Sequence, residues 1–377
     1  MKLNVSKNEM QEKLANIQNI VEKKNTMPIL SHFLLHAGKK GSHIIATDIE
    51  TALKEPLSLE VQKEGKLCIP ARKLFEIVRE TEGDLSFETI EETTSGGWLK
   101  VTSGASEFKL ACLPSSDFPT WPSLGDVEEI TIDATMLLEM IEKTIYSAGE
   151  SDTRYTLNGL LFHVKPQDKS LVVVGTDGHR LAIISKELDN SIREEKRIIV
   201  PRKAVSELRR FLHISDADAD TDKKIKIHIG DKHLLFSVEP IQFLTRLIEG
   251  SYPNYENVIP TTNEKTMAIG REKFAKVLRR VSVMSKDRAS AVKFDLEEGK
   301  LVVSSSSPDL GEAQEAVDVD YKGEPLSLGF NARYVLDVLG AMTSDTVTFE
   351  LQDPLSPVLV REDGNEHYNS IIMPMRI

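Results

Sequence analysis

Leu67–Cys68–Ile69–Pro70–Ala71–Arg72–Lys73–Leu74–Phe75 is the stretch that decides how this chain is built. It reads as an apolar strand that ends at a proline and turns at once into an amphipathic helix. The same text returns as Ile198–Ile199–Val200–Pro201–Arg202–Lys203–Ala204–Val205. A more diverged form follows as Leu326–Ser327–Leu328–Gly329–Phe330–Asn331–Ala332–Arg333–Tyr334. Pro70 to Pro201 is 131 positions, and Pro201 to Asn331 is 130. Ala46–Thr47–Asp48 recurs as Gly175–Thr176–Asp177, 129 positions later. Stacked solenoid units run about 20–50 residues, so this period is that of a whole domain. Three tandem copies of one domain are expected, over residues 1–122, 128–253 and 254–377. Their junctions fall near Pro119–Thr120–Trp121–Pro122 and Tyr252–Pro253–Asn254–Tyr255.

Each copy reads as α+β. Apolar runs joined by short polar turns predict hairpins, as in His32–His36 to Ser42–Thr47, Gly159–Val164 to Ser170–Val174, and Ala291–Leu296 to Lys300–Val303. Further strands are expected at Trp98–Thr102 and Glu107–Ala111. Apolar spacings of three and four predict two helices per copy, over Ser6–Asn25, Pro70–Glu80, Asp133–Gly149, Pro201–Ser215, Arg271–Arg288 and Asn331–Met342.

Charge is distributed unevenly over this pattern. The chain carries a net −12, which by itself argues against a nucleic-acid partner. The six helices, however, carry a net +8, leaving −20 on strands and loops. Helices sharing one surface would attract phosphate there, while the acidic remainder repels nonspecific contact. With 40% hydrophobic residues, each third can bury a core. The start, Met1–Lys2–Leu3–Asn4–Val5–Ser6, has no signal-type apolar stretch, and no apolar run approaches the ~20 residues of a membrane helix. Cys68 and Cys112 are expected as buried free thiols, and the expected place is the cytoplasm.

Several stretches resemble chemistry and fail on inspection. Asp216, Asp218, Asp220 and Asp222 alternate like half a calcium loop, but its glycine and glutamate positions hold Thr221 and Ile227. Asp177 and His179 suggest a general base without an evident nucleophile, and Asp177–Gly178 is what a tight turn requires. No phosphate-cradling glycine loop, paired-cysteine motif or His–Glu–x–x–His is present. No cofactor, metal or catalytic residue is expected. Two alternatives stay open beside a non-catalytic reading: an enzyme using Asp177 and His179, and a module that grips duplex DNA directly.

Over its full length the chain resembles the bacterial DNA sliding clamps, the β subunits of the replicative DNA polymerase. The resemblance rests on Thr176–Asp177–Gly178–His179–Arg180–Leu181, Val200–Pro201–Arg202–Lys203, Gly329–Phe330–Asn331 with Tyr334–Val335–Leu336, and the ending Met373–Pro374–Met375–Arg376–Ile377. It implies a head-to-tail dimer closed into a six-domain ring, helices inside and sheets outside, that encircles duplex DNA and tethers the polymerase as a processivity factor. A domain of this length has a radius of gyration of ~14 Å and so a diameter of roughly 36 Å. Three such spheres leave a gap of ~6 Å, whereas six leave about 36 Å. A duplex roughly 20 Å across passes only the larger ring.

The resemblance also implies sites. Lys24, Arg72, Arg154, Tyr155, Arg202 and Lys203 are expected to face DNA, although Glu150, Ser151 and Asp152 make the loop before Arg154 acidic or neutral. A pocket for short hydrophobic motifs of polymerase, clamp loader and repair proteins is expected at Leu157, Thr176, Gly178, His179, Arg180, Leu181, Pro253, Val258, Asn331, Tyr334, Met373, Pro374, Met375 and Arg376. Methionines flanking a proline suit an adaptable apolar wall. Phe108 and Leu110 are expected to meet Val283 and Met284 of a second copy at the dimer seam, a pairing that would also protect an apolar edge strand.

Overall fold

A computed structural model describes residues 1–21, 27–93, 96–189, 192–216, 223–285 and 291–376. Lys24, Asp218, Asp220 and Asp222 lie outside the described residues. Six helices are described: α1 (Lys7–Ile17), α2 (Ala71–Glu80), α3 (Ala134–Glu142), α4 (Arg202–Asp216), α5 (Arg271–Val281) and α6 (Ala332–Ala341). They pack in chain order as α1 with α2, α3 with α4, and α5 with α6. Each pair belongs to one repeat.

Their starts follow from their sequences. Ser6 accepts from Glu9 N at the head of α1, Asp133 from Thr135 N and Met136 N at α3, and Asn331 from Arg333 N at α6. Pro70 enters α2 without a side-chain cap because its fixed φ already suits the turn into a helix. α2 and α4 end within one residue of their expected bounds, whereas α1, α3 and α5 end earlier than their apolar spacing predicts. Single 3₁₀ turns at Ile145–Ser147 and Ser282–Met284 take over after α3 and α5. The buried stripes are narrow: Leu74, Ile77 and Val78 on α2, and Phe274, Val277, Leu278 and Val281 on α5. Arg72, Lys73 and Arg79 of α2 are exposed, as are Lys273, Lys276, Arg279 and Arg280 of α5.

The contacts divide the chain into two compact units, residues 1–132 with 222–247, and residues 133–221 with 248–377. In the first unit an eight-stranded antiparallel sheet runs in the order Glu128–Asp133, Lys224–Ile229, His233–Val238, Ile241–Arg246, Thr51–Leu57, Ser42–Thr47, His32–Ala37 and Gly65–Pro70. At its middle, Ile241–Arg246 of the second repeat pairs with Thr51–Leu57 of the first, placing Leu244 opposite Ala52. A five-stranded sheet of the first repeat completes this unit and ends at Ser106–Cys112.

The second unit follows the same plan. Its eight-stranded sheet joins four strands of the second repeat to four of the third, through Arg180–Glu187 against Tyr368–Ile372, with Leu181 opposite Ile371. Its four-stranded sheet ends at Gly311–Asp318. The second repeat thus gives one half of its strands to each unit, which is why grouping by contact cuts across the repeats. Ser170–Thr176 is buried at every position, so its apolar run Leu171–Val174 reflects cover on both faces. By contrast, His32–Ala37 alternates. Cys68 and Cys112 are buried free thiols, and burial pushes each up to about 12.

Candidate functional site

The turn Thr176–Asp177–Gly178–His179–Arg180 in the second unit is fixed by its own side chains. Thr176 Oγ1 donates to Arg180 O at 2.6 Å and accepts from Gly178 N at 3.1 Å. Asp177 Oδ1 accepts from His179 N at 2.9 Å and Arg180 N at 3.1 Å. Gly178 sits at φ 85°, and a Cβ there would stand 2.7 Å from the Arg154 guanidinium. Only glycine meets both conditions. The loop therefore lifts His179 into solvent on a rigid base.

Arg180 is the hub beneath it. Its Nε donates to Asp177 Oδ2 at 3.0 Å, Nη1 to Asp337 Oδ2 at 2.6 Å, and Nη2 to Tyr146 O at 2.5 Å. Its plane lies 4.4 Å from the Tyr334 ring. Buried and engaged on every side, Arg180 serves as a frame for the turn and not as a free hand for a ligand. The Tyr334 ring stacks at 6.3 Å from His179, and burial together with Asp177 raises its hydroxyl pKa.

The chain end closes against this turn. Met373 N donates to His179 O at 2.9 Å, and Met375 N to Gly329 O at 2.9 Å, two residues before the helix-capping Asn331. This holds Met373, Pro374 and Met375 half-buried beside His179 and the start of α6, with Arg376 exposed. Leu157 and Leu181 share a buried apolar cluster with Val174, Tyr252, Tyr255, Leu359 and Ile371. Pro253 is exposed between the two tyrosines, and Val258 is exposed at the end of the 3₁₀ turn Tyr255–Val258. Thr176, Leu157 and Leu181 are buried and act as frame. Tyr146, Asp337, Tyr252 and Tyr255 belong to the site although no sequence motif marks them. The spacing of Asp337 and Tyr334 on one face of α6 is the signal that was available.

Among the residues expected to face DNA, Arg72 and Lys203 are exposed near the starts of α2 and α4, and Tyr155 is 61% exposed. Arg154 behaves differently. It binds Asp152 through Nε at 3.0 Å and Nη2 at 2.8 Å, and donates to Asp177 O at 3.0 Å, which ties it to the pocket loop. The Arg154 side chain and backbone amide in turn hold the Asp152 carboxyl down to about 2. Arg202 is half-buried, donates to Ala148 O and pairs with Glu150 at 3.0 Å. The acidic loop thus covers two of the expected cations.

At the expected seam, Ser106–Cys112 is the outermost strand of its sheet, with Phe108 half-buried and Leu110 buried. Leu110 already packs within its own unit. Val283 is 74% exposed, and Met284 Cε lies 3.5 Å from where a Cβ of Gly311 would stand, beside the other outermost strand. Among the described residues no group of three or more His, Cys, Asp or Glu is placed to hold a metal ion, and no helix is long and apolar enough to cross a membrane.

Comparison with known proteins agrees with this architecture. The family models for the N-terminal, central and C-terminal domains of the DNA polymerase III beta subunit match residues 1–122, 131–254 and 256–376. The beta sliding clamps of Caulobacter vibrioides and Pseudomonas putida are each 32% identical, over the whole of both chains. Among solved structures, sliding clamps bound to griselimycin from Pseudomonas aeruginosa (31% identical) and Bartonella birtlesii (32% identical) superpose with TM-scores of 0.91 and 0.93, again over the full length of both chains. Three tandem domains, the matched models along the whole chain and the shared fold place it in one family: the chain belongs to the β sliding clamps, the processivity subunits of DNA polymerase III.

Proposed function

We propose that two copies of this chain close head to tail around duplex DNA, hold it by topology and present the second-unit pocket to short hydrophobic segments of partner proteins. One observation carries the ring. Each repeat, taken as residues 1–122, 128–253 and 254–377, supplies two four-stranded half-sheets, the first repeat with one extra strand. At both junctions inside the chain, equivalent edges meet: Thr51–Leu57 with Ile241–Arg246, and Arg180–Glu187 with Tyr368–Ile372. The edges equivalent to these that remain unpaired are Gly311–Asp318 of the third repeat and Ser106–Cys112 of the first. Joining them between two chains makes the third junction of the same kind, a heterologous contact that forms a ring when its rotation closes, and two copies leave the gap that a duplex needs. The apolar Val283 and Met284 then meet Phe108, with Leu110 behind it.

In this ring the basic faces of the helices turn toward DNA. Arg72, Lys203 and Tyr155 supply weak, salt-screened contacts that permit sliding. Arg154 and Arg202 contribute less, because Asp152 and Glu150 answer their charge. The chain then works without a reaction of its own. In the pocket, His179, Tyr334 and the Met373–Pro374–Met375 wall receive apolar side chains of the polymerase, clamp loader and repair proteins.

The test is retention on DNA by gel filtration after loading with a clamp loader and ATP, comparing nicked circles with the same circles linearised afterwards. Retention on circles and release on linearisation is expected. Equal retention on both would mean that the chain grips the duplex directly.

A further inference from the structure

The first unit repeats the pocket's architecture one junction earlier. In the turn Thr47–Asp48–Ile49–Glu50–Thr51, Thr47 Oγ1 donates to Thr51 O at 2.8 Å and accepts from Ile49 N at 3.0 Å, while Asp48 Oδ1 accepts from Thr51 N at 2.6 Å. These are the bonds of Thr176–Arg180. Arg246 N donates to Glu50 O at 2.7 Å, as Met373 N does to His179 O. Trp121 and Leu124 pack on Ala52, Leu235 and Leu244, as Tyr252 and Tyr255 pack on Leu181, Leu359 and Ile371.

Between these elements lies a cleft of about 230 Å³. Its apolar lining includes Ala52, Leu244, Trp121, Phe118 and Ile45. Two features mark it as more than a relic of the repeat. Ile49 holds φ 80° where its counterpart is Gly178, a conformation that a β-branched residue rarely adopts, and its apolar side chain stands 48% exposed at the cleft. The rim is cationic: Lys232 and Arg246 are exposed and His233 lies between them, with Glu50 3.6 Å from Arg246 as the acid opposite. On a chain of net −12, such a rim favours an acidic ligand over an uncharged one.

We propose that this cleft is a second docking site, for an extended acidic peptide that seats an apolar side chain against Trp121, Leu244 and Ile49 and a neighbouring carboxylate against Lys232 and Arg246. The choice of a peptide rests on the reading of the second-unit pocket, whereas the demand for an apolar group beside an anion rests on the cleft itself.

Trp98 and Trp121 are the two tryptophans of the chain, so Trp98→Phe leaves Trp121 as the only indole, inside the cleft. The probe is the acetylated pentapeptide amide glutamate-aspartate-leucine-isoleucine-phenylalanine, with a glutamine-asparagine version as its uncharged counterpart. A saturable change in Trp121 emission is expected with the acidic peptide. The exposed pair Lys232→Glu and Arg246→Glu should raise the dissociation constant about tenfold or more. Ile49→Gly should weaken binding without lowering the melting temperature, and His179→Asp should leave binding unchanged. No saturable change overturns the proposal, as does equal affinity for the uncharged peptide. A signal that survives the charge reversals but is lost in His179→Asp puts the peptide in the second-unit pocket, which overturns this inference and leaves the reading of that pocket standing.

Discussion

Arg180 shows how a residue that reads as a ligand-binding cation becomes part of the frame. Its guanidinium satisfies two carboxylates and a backbone carbonyl within a buried site. Arg180→Ala leaves Asp177 and Asp337 without their cation, and breaking a buried pair in this way costs about 3–5 kcal/mol. A lowered melting temperature is therefore expected along with lost peptide binding. Arg180→Lys should restore little of either, because a point charge cannot replace the planar fork. Ile49 makes the opposite case. Left-handed backbone at a β-branched residue costs about 1–3 kcal/mol, partly offset by the roughly 0.5–1 kcal/mol of chain entropy that glycine adds. Chemical denaturation of Ile49→Gly should give a stability equal to or above that of the parent. Glu362 is a buried source of acid sensitivity. Burial raises its pKa, but Lys143 and the Thr343 amide outweigh that and hold the carboxyl below its ordinary 4.5. A depressed folded value contributes stability that is complete above the unfolded value and lost as pH falls through the folded one. Glu362→Gln should accordingly flatten the fall in melting temperature below about pH 4.5.

Strands decide assembly. Ser106–Cys112 and Gly311–Asp318 each leave one row of backbone groups unpaired within the chain, the feature that proteins either cover or use. Met284→Asp, or Val283→Asp, places a charge in the seam without touching a core, so sedimentation should show folded monomers. An intact dimer would count against this seam. Leu110 requires a different treatment, because it is buried in its own unit. Leu110→Asp should unfold the five-stranded sheet as well as separate the copies, and so is the poorer probe. On α2 and α5 the helix divides its labour by face, with a narrow apolar stripe inward and lysine and arginine outward.

For the molecule as a whole, binding by topology and binding by charge respond differently to salt. Retention on nicked circles should persist as salt rises toward 1 M, because releasing counterions does not open a ring. Binding to short linear duplex should be weak already at 0.1 M and fall steeply with log salt. A steep decline on circles as well would show that phosphate contacts, and not closure, hold the DNA. The turns Thr47–Thr51 and Thr176–Arg180 lie at successive junctions of the same repeat and share their side-chain hydrogen bonds.

The sequence alone determined the repeat. A domain-length period survives in Pro70, Pro201 and Asn331 because strand-to-helix corners constrain local backbone, and local backbone is written in adjacent residues. The bias of cations toward helices and the tight turn at Asp177–Gly178 were legible for the same reason. The pocket residues came from resemblance, not from any spacing among them, since Leu157, His179, Tyr334 and Met375 are far apart in the chain. Only the tertiary structure decided which of them are exposed and which are buried in the frame. It turned Arg180 and Thr176 inward, tied Arg154 to Asp152 and the pocket loop, and set Asp337 under Arg180. It also cut the chain into two contact units across three repeats, because strand pairing between neighbouring half-sheets outweighs continuity along the chain. Pairing partners at these junctions, unlike turns, caps and hairpins, lie more than a hundred positions apart in the chain.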